Sequence, residues 1–189
     1  MTIVLLDGRK LPHQDWEGDD FTPGAKGYVT CTDTATGRMI AYATNGRRDL
    51  DGKAIRSAVK PPDRDGINLG QAAQATLSLT GLTLVRPQSL DWADALAHLT
   101  AKRGLILQGW YSEIPRDYRY QASANFGHAM WASHASPSGF TRVWDPLDAN
   151  RTHHGTWVPT KYVRAFLERL QHEAGAGHLF VGYVELMAL

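Results

Sequence analysis

Apolar and small residues recur at helical spacing from Cys31 to Thr44, with Cys31, Ala35, Met39 and Tyr42 in one row and Ile40 and Ala43 beside it. That spacing predicts a helix with one buried face. Thr30 or Thr32 suits its N-cap, Asp33 favours its first turn, and Asn45-Gly46 ends it. Arg47 to Asp65 is charged and holds Pro61-Pro62, which predicts a loop with one short helical turn near 54–59. Asn68 caps a second helix that runs through Leu79 and closes at Gly81, and Leu82 to Val85 reads as a brief strand. Ser89 opens a third helix with Leu90, Trp92, Ala93, Leu96 and Leu99 on one side, ending at Lys102-Arg103-Gly104.

Beyond residue 104 the period changes. Leu105 to Tyr111 is a continuous apolar run and predicts a central strand. Ser112 to Asn125 is a polar loop that carries Tyr118 and Tyr120. Phe126 to Ala135 and Phe140 to Trp144 are two strand patterns separated by the turn formers Ser136-Pro137-Ser138-Gly139. Asp148 to Gly155 reads as a loop, Pro159 to Glu173 as a fourth helix with Tyr162, Val163, Phe166, Leu167 and Leu170 inward, and Leu179 to Met187 as a last strand. Helices first and a mainly antiparallel sheet afterwards make an α+β layout, with a helical layer packed on the sheet. Residues 1–26, which include the acidic, turn-rich Gln14 to Pro23 segment, read as an N-terminal arm, and 27–189 as one domain.

Composition narrows the function classes. The chain has 189 residues, enough for one full core. A net charge of +1 gives no footprint for nucleic acid or an anionic membrane. No apolar stretch approaches a membrane span, and Ile3 to Leu6 is too short for a signal-peptide core. The expectation from these is a soluble protein, cytoplasmic at synthesis. The single cysteine, Cys31, excludes an intramolecular disulfide framework.

The same cysteine is the chain's one thiol nucleophile. It sits at a helix start, where unpaired N–H groups and the helix dipole favour a thiolate. A hairpin over 126–145 sets His128, near the start of one strand, across from Asp145, at the end of the next. A carboxylate there accepts one ring N–H and leaves the other nitrogen as a base. Cys31 on a helix facing His128 on a sheet is the geometry that nucleophilic catalysis by a thiol needs.

In this order the chain resembles the papain-like cysteine peptidase superfamily. The segments that carry the likeness are G-I-N-L-G-Q-A at 66–72, L-I-L-Q-G-W-Y at 105–111, F-G-H-A at 126–129 and V-W-D-P-L at 143–147. They are most similar to the bacteriocin-processing double-glycine peptidase branch, and within it to small papain-like hydrolase or tail-associated proteins of actinobacteriophages. The resemblance covers about residues 27–185 and implies a papain-like fold with Cys31 as nucleophile, His128 as base and Asp145 as its orienting partner. It also implies a peptide or peptidoglycan-like substrate, a place in a virion beside other virion proteins, and no cofactor.

One motif departs from the family. A Gln that donates to the oxyanion stands a few residues before the Cys in the family, whereas Gln14 lies 17 positions upstream here. Gln108 on the central strand and the backbone N–H of Cys31 are the other donors. Thr32 also replaces the small residue that usually follows the Cys. These departures leave a structural virion subunit with a papain-like fold as the alternative function. A metal hydrolase using His128, His134, Asp145 and His153-His154 is disfavoured, because H-E-x-x-H is absent and adjacent histidines on an extended chain point apart.

Overall fold

The helix that begins at Cys31 is buried on every side. A computed structural model describes residues 3–4, 10–11, 30–61, 66–120, 123, 125–148 and 155–188. In it α1 (Cys31–Ala43) has every residue from Thr32 to Ala43 buried. The expected single apolar face is therefore only half of its setting. Its polar residues are accommodated locally, since the Thr36 hydroxyl donates to the Thr32 carbonyl at 2.6 Å and Asp33 meets Arg56 at 3.5 Å. Arg56 belongs to α2 (Gly52–Val59), which Asp51 caps by accepting from the Ala54 N–H at 2.7 Å. Gly37 is what lets this layer close, because a Cβ there would collide with the Leu50 carbonyl.

Next comes α3 (Leu69–Thr80), whose N-terminus is a capping box. Asn68 accepts from the Gln71 N–H and Gln71 accepts from the Asn68 N–H, each at 3.0 Å. Gly81 ends it with φ +74°. The third helix, α4 (Trp92–Thr100), starts two residues after the expected Ser89-Leu90. Its cap is Asp91, which accepts from the Asp94 N–H at 3.0 Å, and Ala93 is exposed while Ala95 and Leu99 are buried.

The sheet is antiparallel throughout. A two-residue pair at the N-terminus, β1 (Ile3–Val4) with β2 (Lys10–Leu11), stands apart from it. The main sheet has the order β3 (Leu84–Val85), β8 (Val181–Val184), β4 (Leu105–Trp110), β5 (Gly127–Ala135), β6 (Phe140–Trp144) and β7 (Thr156–Pro159). The chain thus returns after α5 (Thr160–Glu173) to insert its last strand between β3 and β4. β7 lies between the expected loop, which ends at Gly155, and the expected helix from Pro159, and the last strand is shorter than 179–187. Residues 12–29, which hold the expected arm boundary at 26–27 and the whole acidic segment, lie outside the described residues.

Helices cover both faces. Ile106 and Trp131 pack on the α1–α3 side, whereas Leu105, Leu107, Met130 and Val143 pack with Ala95, Leu99, Phe166 and Leu167 of α4 and α5. Alternation along each strand produces this division. On the α1 side Trp131 lies 4.7 Å from Trp144 and 5.1 Å from Tyr42 between ring centroids, and the Tyr42 hydroxyl donates to the Lys102 carbonyl at 2.6 Å. Each such aromatic pair adds about 1 kcal/mol beyond its burial. On the other side α5 approaches β4 so closely that a Cβ on Gly109 would collide with Phe166. Among the described residues no helix is long and apolar enough to cross a membrane.

Candidate active site

The N-terminal end of α1 and the start of β5 meet at one edge of the sheet. Thr30 occupies the N-cap position without a side-chain cap bond, and the first intrahelical bond runs from the Thr34 N–H to the Thr30 carbonyl at 2.9 Å. Cys31 is thus the first helical residue, where N–H groups have no partner within the helix. Its height along the sheet is held by the next residue. The Gln108 amide donates to the Thr32 hydroxyl at 2.9 Å, tying the helix start to β4, while Tyr42 ties the helix end.

A bulge sets the partner strand. Near the hairpin turn Ala135 faces Thr141 and His134 faces Arg142, but past Ser133 the register shifts, so that Ala132 faces Val143 and Trp131 faces Trp144. Continuing the outer register would set Asp145 opposite Trp131, on the α1 face. The extra residue moves Asp145 to the level of Met130 and onto the face that His128 shares. His128 and Asp145 are therefore diagonal neighbours, where direct opposition was expected. The diagonal is within reach of side chains of this length. His128 Nε2 donates to Asp145 Oδ1 at 2.7 Å.

Three donors converge on the Asp145 carboxylate. Oδ1 accepts from His128 and from the Leu147 N–H at 2.9 Å, and Oδ2 accepts a short bond from the Tyr111 hydroxyl. Tyr111 is fully buried, its ring lies 4.6 Å from the His128 ring, and its oxygen accepts from the Tyr120 N–H at 3.1 Å. Burial, followed by the charge of Asp145 and the bond to it, pushes the phenol far above its ordinary range, so it remains a neutral donor. Sequence reasoning assigned Tyr111 to the central strand. It follows the strand, in a 3-10 turn at Tyr111–Glu113, and that turn aims the ring at the carboxylate.

The same imidazole that bonds Asp145 through Nε2 also hydrogen-bonds with the Cys31 side chain. Complete burial by itself works against a charged imidazole at His128. The Asp145 carboxylate, with its hydrogen bond, and the hydrogen bond and charge of Cys31 reverse that, holding His128 well above its ordinary value. Cys31 itself is half-buried and opens on a cavity of about 280 Å3, walled by His128, Gln108, Asn68 and Leu170. Gln108 spends one amide hydrogen on Thr32 and lines the same cavity. Of the expected site residues, Cys31, His128, Asp145 and Gln108 meet here, and Gln14 lies outside the described residues.

No protein-family model matches the chain, and no curated protein matches it. A solved structure does: a Bacillus anthracis protein provisionally named a C39-like peptidase superposes with a TM-score of 0.57 at 13% identity, over 85% of this chain and 90% of that one. The fold is papain-like. At that identity the likeness concerns the backbone path, and the placement of Cys31, His128 and Asp145 stands on their geometry in this chain.

Of the residues named for a metal site, His128 and Asp145 are together and His134 is not with them. His134 sits beyond the bulge, bonded to the Ser133 hydroxyl at 2.7 Å and edge-on to Trp157 at 5.2 Å, away from Asp145. His153 and His154 lie outside the described residues. Among the described residues no group of three or more His, Cys, Asp or Glu could hold a metal ion.

Proposed function

We propose that this protein is a cysteine hydrolase that cleaves a peptide or amide bond. The observation that carries the reading is His128, buried and hydrogen-bonded to both Asp145 and Cys31. The Cys31 thiolate adds to the scissile carbonyl carbon, forming the C–S bond as the carbonyl π pair moves to oxygen. The N–H of Cys31, at the helix start, and the second amide hydrogen of Gln108 face that oxyanion. Collapse expels the amine, which takes the proton from the His128 imidazolium. Water, deprotonated by the same imidazole, then adds to the thioester and releases the acid and the free thiol. Asp145 holds the ring orientation throughout, and Tyr111 holds Asp145.

The sequence likeness to proteins of actinobacteriophages makes the cross-peptides of peptidoglycan the first substrate class to try, in a protein carried by the virion. The domain at 27–189 contains all the proposed machinery, and the segment before it is a docking arm. Purified protein incubated with actinobacterial peptidoglycan fragments should release new amino termini, and Cys31→Ala should abolish that release. Iodoacetamide should alkylate Cys31 in the wild type at mildly acidic pH far faster than in His128→Ala. Equal alkylation rates, with no release by wild type, would refute the enzyme and favour the structural virion subunit, to which the missing upstream Gln points.

A further inference from the structure

Next to the Cys31 cavity lies a second, larger one of about 340 Å3, and the two share Asn68 and Gln108. Side by side they line a groove that passes over Gln108 of the inner strand β4. The floor of the second part is Gln108 with Leu179 to Val181, pinned by the Gln108 N–H donating to the Phe180 carbonyl at 2.9 Å. One wall is the start of α3 and the other is the segment from Arg86 to Gln88. The Gln88 amide donates to the Arg86 carbonyl at 3.2 Å, which holds that segment in place.

What distinguishes this part of the groove is the Arg86 guanidinium. Its head lies against the start of α3, in space left by Gly70, where a Cβ would come within 3.1 Å of Arg86 Nη1. Among the described residues no carboxylate pairs with it, and the ionisable groups that line the cavity are Arg86 and His178, with no acid among them. The exposed Arg86 side chain presents a planar fork of donors beside a floor of Leu179, Phe180 and Val181, which matches a carboxylate. We infer that this half of the groove is a specificity subsite for a peptide carrying an acidic side chain a few residues from the bond presented to Cys31. The inference rests on the hydrolase reading for the role of the groove and adds to it the class of peptide. Arg86 binds the carboxylate, the floor at Leu179 and Phe180 packs the neighbouring residue, and Gln108 marks the passage between the two cavities.

The test uses capped peptides in matched pairs that differ only in Glu against Gln, with the pair moved through each position of a cleavable sequence. Wild type should show, at one position, a kcat/KM for Glu roughly two- to fivefold above that for Gln, as expected for an exposed ion pair. The preference should vanish in Arg86→Gln, turn towards Lys in Arg86→Glu, and shrink as salt rises. Hydrolysis with no Glu preference at any position, or with the same preference in Arg86→Gln, overturns the subsite and leaves the hydrolase standing. A second measurement is independent of turnover: binding of the same pairs to Cys31→Ala protein by calorimetry. Arg86-dependent binding of the Glu peptide without hydrolysis by wild type retires the hydrolase and keeps the carboxylate site. Equal binding of both peptides overturns the site.

Discussion

Replacing Tyr111 by Phe removes one oxygen and leaves the ring, so it isolates what the hydroxyl does. In the native structure that oxygen donates to Asp145 Oδ2 and accepts from the Tyr120 N–H. Without it a buried carboxylate oxygen and a part-buried N–H both lose a partner. A hydrogen bond to a charged group contributes about 1.5–3 kcal/mol, and leaving the N–H unmatched adds up to about 1 kcal/mol more where water cannot reach it. The variant should therefore lose about 2–4 kcal/mol, a fall in Tm of roughly 5–12 °C for a domain of this size. The chemistry should move too. A carboxylate relieved of one donor is a stronger acceptor for the two that remain, His128 and the Leu147 N–H, so the His128 imidazolium becomes more stable and its titration moves to higher pH. Thermal denaturation would read the first effect, and ring-proton NMR of His128 would read the second. Tyr118→Phe, a part-buried tyrosine outside this network, is the control. A Tyr111→Phe protein with the Tm of the control and an unmoved His128 titration would refute the account of Tyr111 as the support of Asp145.

Other substitutions probe the same network from its remaining sides. Asp145→Asn should keep the fold but lose most activity. Its three donors need three acceptor sites, and the amide turns one oxygen into a donor that faces either Tyr111 or the wrong tautomer of His128; full activity would sink the orienting role. Thr32→Val should free the Gln108 amide and lower kcat more than it raises KM if that amide serves the oxyanion, whereas unchanged kinetics would remove Gln108 from the site. Gly109→Ala should cost about 3 kcal/mol or more through its collision with Phe166, measured by urea unfolding. As for pH, burial and then Arg103 hold His98 from 6.5 down to about 4. The unfolded chain binds that proton first, so stability should fall as pH drops from 6.5 towards 4, and His98→Gln should flatten that limb. His128 acts with the opposite sign. Its raised value contributes stability that is full at low pH and fades as pH rises through its folded pKa, which a pH series of denaturation curves on wild type and His128→Ala would separate.

Much of the fold was legible because the chain punctuates its elements with capping chemistry. Asn68 with Gln71, Gly81, and the Asn45-Gly46 pair, both at positive φ, mark ends that the structure keeps. Cys31, His128 and Asp145 could be picked out because a lone thiol at a helix start and a Gly-His before an Asp-Pro are local features. What failed to show was tertiary in origin. The burial of α1 on all sides depends on α2 and the sheet reaching it from opposite directions, which its own periodicity cannot record. β7 is only four residues long and follows a loop, so no period distinguishes it. The bulge at Ser133 has no residue signature, yet it decides the face on which Asp145 lands. Ser89 drew the start of α4 too early because Ser and Asp cap equally well, and packing of Ala95 and Leu99 chose between them.

The site is a consequence of one strand more than of its three chemical residues. Along β4 the two-residue period sends Gln108 to the α1 face and Gly109 to the α5 face. Gln108 reaches Thr32 and fixes how far the thiol stands from the sheet. Gly109, paired with His128, has no side chain, so Phe166 comes close and α5 closes the cavity with Leu170. The strand then breaks into a 3-10 turn one residue later, and that break frees Tyr111 from the pleat to meet Asp145. Moving any of these by one residue would exchange faces and leave Cys31, His128 and Asp145 unsupported, even with all three present. Gln-Gly-Trp-Tyr after an apolar run is therefore a sharper sign of this arrangement than Gly-His or Asp-Pro. It specifies the supports that hold the imidazole, and a thiol without a held imidazole is an ordinary cysteine.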